Sequence, residues 1–123
     1  MPGLRASKLA LAMAAVCLLA GCSHTQSVSS DRTLHVALNE YRINPQNVRV
    51  SAGLLIIYVR NFGRLTHNLV ITHDGETTDE TDPLPPGQST NLAVSLPPGR
   101  YLMASTILSD QTLGMYGTLT VTH

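Results

Sequence analysis

The 123-residue chain has no tryptophan, a single phenylalanine and only two cysteines, and 13% of its residues are charged. Its last lysine is Lys8. Base is scarce enough to exclude a nucleic-acid surface. Without Arg5 and Lys8, which belong to an N-terminal export signal, six of the eight basic residues face eight acids, whereas phosphate binding needs an excess of cations. In that signal Arg5 and Lys8 lead into the apolar run Leu9–Ala20 and on to Gly21-Cys22, a stretch too short to span a bilayer. Cleavage before Cys22 takes 21 of the 123 residues and leaves 102. Cys17 departs with the signal, so one thiol remains and no disulfide can form within the mature chain.

Leu19-Ala20-Gly21-Cys22 resembles the lipobox of bacterial lipoproteins, where small residues precede a cysteine that is acylated and becomes the new N-terminus. The resemblance implies lipidation at Cys22 by a diacylglycerol and an amide-linked chain such as palmitate, enough hydrophobic anchors for stable attachment. The expected organisation is a signal peptide over 1–21, a lipid-anchored flexible tether over 22–32 and one domain over 33–123. The tether, polar and serine-rich, would hold the domain within about 20 Å of the membrane. The expected location is the cell envelope, outside the cytoplasm, with the membrane as a partner through the N-terminal lipid.

From Thr33 onward, short apolar runs are separated by Pro and Gly, and no stretch keeps a three-to-four residue period. The pattern predicts an all-β chain. Leu34, Val36 and Leu38 alternate with His35, Ala37 and Asn39, which puts His35 on the solvent face. Leu54 to Val59 is a continuous apolar run fit for a central strand. His67, Leu69 and Ile71 share one parity, as do Tyr101, Met103 and Ser105, and Met115, Leu119 and Val121. Seven or eight strands in about 90 residues read as a single Greek-key β-sandwich.

Three segments together resemble the cupredoxin family of small blue copper proteins. They are Tyr41-Arg42-Ile43-Asn44-Pro45 with Val48 to Gly53; Asn61-Phe62-Gly63 with His67-Asn68-Leu69-Val70-Ile71; and Leu96 to Tyr101 with Gly114-Met115-Tyr116-Gly117. In that family the His of the His-Asn element and the Met of the Gly-Met-x-Gly element bind copper, positions that fall on His67 and Met115. The remaining ligands come from a Cys-x-x-Pro-Gly-His pattern, which falls on Ser105 for the cysteine and Asp110 for the histidine, with Leu108 and Ser109 in place of Pro-Gly. A blue centre rests on its copper–thiolate bond, so Ser105 excludes one.

His67, Met115 and Asp110 remain as the candidate metal ligands, with Met103 as a further thioether. Imidazole with thioether suits Cu(I), and imidazole with carboxylate suits Cu(II). One reading is therefore a membrane-tethered domain that binds copper in a non-blue site and exchanges it with a donor or acceptor protein. The alternative is a metal-free cupredoxin-fold interaction module, in which His67 is a hydrogen-bonded core histidine and Met115 is packing. The sequence offers nothing that reads as an enzyme: Ser105 lacks a nucleophile-elbow context, and no phosphate-cradling glycine loop is present. Asp74, Glu76, Asp79, Glu80 and Asp82 are expected in a solvated acidic loop, available to a hard cation or a basic partner.

Overall fold

The computed structural model describes residues 24–123; the signal segment and Cys22 lie outside the described residues. Ten strands and no helix make up the described chain: β1 (Gln26–Ser27), β2 (Thr33–Asn39), β3 (Arg42–Asn44), β4 (Asn47–Ser51), β5 (Gly53–Asn61), β6 (Val70–His73), β7 (Glu76–Glu80), β8 (Ser89–Leu96), β9 (Gly99–Ala104) and β10 (Tyr116–Thr122). They form a six-stranded sheet, β1-β4-β10-β9-β6-β7, and a four-stranded sheet, β3-β2-β5-β8. Both sheets are mixed, with parallel pairs β1/β4, β4/β10 and β2/β5. The all-β sandwich predicted from the apolar pattern is the observed architecture.

The alternation in β2 works as read: Leu34, Val36 and Leu38 are buried while His35 is exposed. β5 is one of the two inner strands of its sheet, paired on both sides, and its inward Leu55, Ile57 and Val59 meet Leu69, Ile71, Met103 and Leu119 in one core. Each such side chain, fully removed from water, contributes on the order of 1.5–3 kcal/mol before the entropy of ordering it is subtracted.

Two expectations need correction. The acids after His73 do not form a loop. They lie on and around β7, an edge strand that pairs with β6 through a two-residue Asp74-Gly75 turn in which both residues have positive φ. Asp-Gly is a preferred sequence for such a turn, because two positive-φ residues give the chain a twist that matches the right-handed twist of the strands. The alternation rule missed β7 because the strand is largely exposed and has no apolar face to display. Its carboxylates sit where a sheet edge benefits from charge. Second, the segment ahead of Thr33 is not wholly a free tether. β1 pairs with β4, the Val28 amide donates to the Arg49 carbonyl at 3.2 Å, and Arg32 donates to Ser51 Oγ and to the Ser51 carbonyl at 2.7 Å each.

Candidate functional site

The site lies at the end of the sandwich where three connections meet: β2–β3, β5–β6 and β9–β10. Asn61, the last residue of β5 and fully buried, shapes the second of these. Its Nδ2 donates to the carbonyls of Leu65 (2.7 Å) and Leu84 (2.8 Å), and its Oδ1 accepts from the Gly63 amide (2.8 Å). The turn so made delivers His67 to a two-way backbone bridge with Leu84. Asn68 then ties this segment to the end of β9. Its Oδ1 accepts from the Thr106 amide at 2.8 Å, and its own amide donates to Ser105 Oγ at 3.2 Å.

The structure brings the sequence-predicted residues together. His67 Nδ1 lies 2.7 Å from Asp110 Oδ2, and Ser105 Oγ donates to the same oxygen at 2.7 Å. The Met115 amide donates to the Asp110 carbonyl at 3.0 Å, and the Met115 carbonyl accepts from the Ser105 amide at 3.1 Å. His67, Ser105 and Met115 are fully buried, and Asp110 nearly so. Met103 takes no part in these hydrogen bonds; it lies in the middle of β9 as a member of the hydrophobic core.

One participant was invisible in the sequence. Glu40, in the β2–β3 connection, accepts from the Arg64 and Leu65 amides at 2.6 Å each and faces His67 Nε2 at 3.3 Å. Burial raises the Glu40 carboxyl, but hydrogen bonds from the backbone amides of Leu65, Glu40 and Arg64 and from His67 outweigh it and hold the group below its ordinary value. Gly63 makes room for this carboxylate: a Cβ there would fall 2.5 Å from Glu40 Oε2. Nothing in the spacing of Glu40 and His67, 27 positions apart, signals the contact.

Both nitrogens of the His67 ring thus face carboxylate oxygens. No buried side-chain nitrogen or oxygen among the described residues lacks a partner. Ser105 and His67 share one carboxylate oxygen and are not bonded to each other, so the imidazole is not placed to take the hydroxyl proton.

The chain matches the cupredoxin-like domain over residues 11–121. It belongs to the cupredoxin-like family. Solved structures agree at the level of the fold. Auracyanin from Roseiflexus castenholzii superposes with a TM-score of 0.68 at 19% identity, covering 77% of this chain and 100% of that one. Rusticyanin from Thiobacillus ferrooxidans superposes at 0.65 with 17% identity, covering 79% of this chain and 81% of that one. A copper-containing nitrite reductase from Thermus scotoductus reaches 0.63 at 16% identity, with this chain spanning 28% of its length. No curated protein matches the chain.

The residues present do not fit the copper centre of a blue cupredoxin. At the positions that the resemblance of the motifs assigns, Ser105 stands in place of the thiolate and Asp110 in place of the second imidazole, and the His67 ring faces a carboxylate at each nitrogen. Among the described residues no group of three or more His, Cys, Asp or Glu side chains is arranged to hold a metal ion.

Proposed function

We propose that this chain is a lipid-anchored, cupredoxin-like module of the cell envelope, in which a buried hydrogen-bonded cluster takes the place of the metal and the domain acts by binding rather than by electron transfer. The observation that carries the reading is the 2.7 Å contact between His67 Nδ1 and Asp110 Oδ2. Two donors held by one metal at about 2.0–2.2 Å each would stand further apart than that, so the cluster is closed by a hydrogen bond. Binding a metal there would require giving up the His67–Asp110 and Ser105–Asp110 bonds in a water-excluded setting. No catalytic role is proposed, because the buried hydroxyl and imidazole are out of reach of a substrate.

The copper-binding alternative keeps one favourable observation: imidazole and carboxylate meet at 2.7 Å, and the backbone of the buried Met115 is hydrogen-bonded to Asp110, residue types with chemistry for either copper oxidation state. Titration of the purified chain with Cu(I) and Cu(II), beside His67→Ala and Met115→Ala, separates the two. The metal-free reading expects no binding above that of the variants and no copper-induced rise in melting temperature. Stoichiometric binding that depends on His67 would replace it with the copper reading.

A further inference from the structure

The outer face of the four-stranded sheet carries a groove of about 470 Å³. Among its lining residues is Ala37, a single methyl group between longer neighbours. Ala37 pairs with Asn44 on β3 and with Arg60 on β5, while His35 beside it pairs with Tyr58. His35 and Tyr58 stack with ring centroids 5.1 Å apart, and the Arg60 guanidinium lies over the Phe62 ring at 4.9 Å. Arg60 makes no ion pair among the described residues.

The charge on this face has one sign. The outward positions of β2, β3, β5 and β8 include Arg42 and Arg60 but no carboxylate, whereas five of the eight acids lie on and around β7, at the far edge of the other sheet. Phe62, 58% exposed, lies against Arg60, and Leu54, 60% exposed, is on the same face at the other end of β5. Bases among exposed aromatic and aliphatic groups are what an anionic lipid surface attracts, the charges meeting phosphate and the rings resting at headgroup level.

Position along the chain names the occupant. Gln26 of β1 lines the groove, and Cys22 precedes it by four residues, a covalent reach of at most about 14 Å. If Cys22 carries the lipid, the groove cannot be far from the membrane.

We infer that the outer face of the four-stranded sheet lies on the membrane, with the groove beside Arg60 taking the phosphate headgroup of an anionic lipid. The inference rests on the proposed acylation of Cys22. The absence of native tryptophan allows a clean test. The full chain, purified as processed by its host cell, is reconstituted into vesicles of phosphatidylcholine alone or mixed equally with phosphatidylglycerol, both containing brominated lipid. A tryptophan introduced by Phe62→Trp is compared with one introduced by Thr77→Trp on β7. The expected result is several-fold stronger quenching at position 62, greater in the anionic vesicles and reduced several-fold by adding Arg42→Glu and Arg60→Glu. Equal quenching at 62 and 77, or quenching at 62 indifferent to the charge reversals, overturns the docking while leaving the anchor intact. Mass spectrometry reads the anchor separately: an unacylated Cys22 removes both the anchor and the docking that rests on it.

Discussion

His67 and Asp110, 43 positions apart, are joined by a 2.7 Å hydrogen bond inside the sandwich, at two positions where the cupredoxin pattern places metal-binding histidines. Ser105, at the thiolate position, donates to the same Asp110 oxygen. The substitutions are thus mutually compensating: a hydroxyl and an imidazole both offer protons, and a carboxylate accepts them. Together the three side chains close the cluster around one carboxylate oxygen.

Asp110→Ala is expected to destabilise the domain by about 3 kcal/mol, since the buried His67 nitrogen loses its acceptor. Ser105 retains Asn68 Oδ1, 3.2 Å away, and suffers less. Asp110→Asn keeps a carbonyl acceptor and should cost less than the alanine variant. Urea unfolding measures both as a fall in midpoint at constant slope.

Asn61→Ala removes three hydrogen bonds at a fully buried position, takes the side-chain donor from the Leu65 carbonyl and the acceptor from the Gly63 amide, and leaves the Leu84 carbonyl with the His67 amide alone. A loss of about 2–4 kcal/mol is expected. Because Asn61 shapes the turn before His67, amide hydrogen exchange should accelerate from Phe62 to Asn68 more than in β10. Uniform acceleration across the domain would show instead that Asn61 stabilises the whole fold without a local role.

The acid limb of stability should depend on Glu40. Its carboxyl lies below its ordinary value when folded, so over that range the unfolded chain binds more protons and stability rises with pH. The contribution is in place above the ordinary carboxylate value and is lost as pH falls through the lowered folded one. Glu40→Gln should therefore melt below wild type at neutral pH, with the difference closing on acidification. Gly63→Ala should mimic it, because the added methyl displaces the Glu40 carboxylate. Parallel melting curves from neutral to acid pH would count against this role.

Ser105→Cys combined with Asp110→His should rebuild the four donors of a blue centre if positions 67, 105, 110 and 115 converge as described. With Cu(II) the double variant is expected to show an intense thiolate-to-copper absorption in the visible, and Ser105→Cys alone a weaker or shifted one. Visible spectroscopy decides it. A colourless double variant that binds copper would mean that the loop through Leu108 and Ser109 holds position 110 away from the metal.

The sandwich was legible in the sequence because burial follows period-two alternation. Leu34, Val36 and Leu38 declare one face of β2, and the unbroken run from Leu54 to Val59 declares a central strand. Parity also turned His67, Ser105 and Met115 inward, and the order of the motifs was enough to nominate Asp110. Strands that bury little left no such trace. β7 is largely exposed and acidic, and β1 has only two residues, held by pairing with β4. The Asp74-Gly75 turn was the one local sign of the β6–β7 hairpin. Partner choice came from the packing of the sheets and their connections. Asp110 as the acceptor for both His67 and Ser105, Glu40 at the other imidazole nitrogen, and Gln26 on the rim of the outer groove all join residues far apart in the chain. Periodicity reports which face a side chain occupies, a property of its own strand; a hydrogen bond between distant segments depends on how the sheets and their connections pack, which no local pattern encodes.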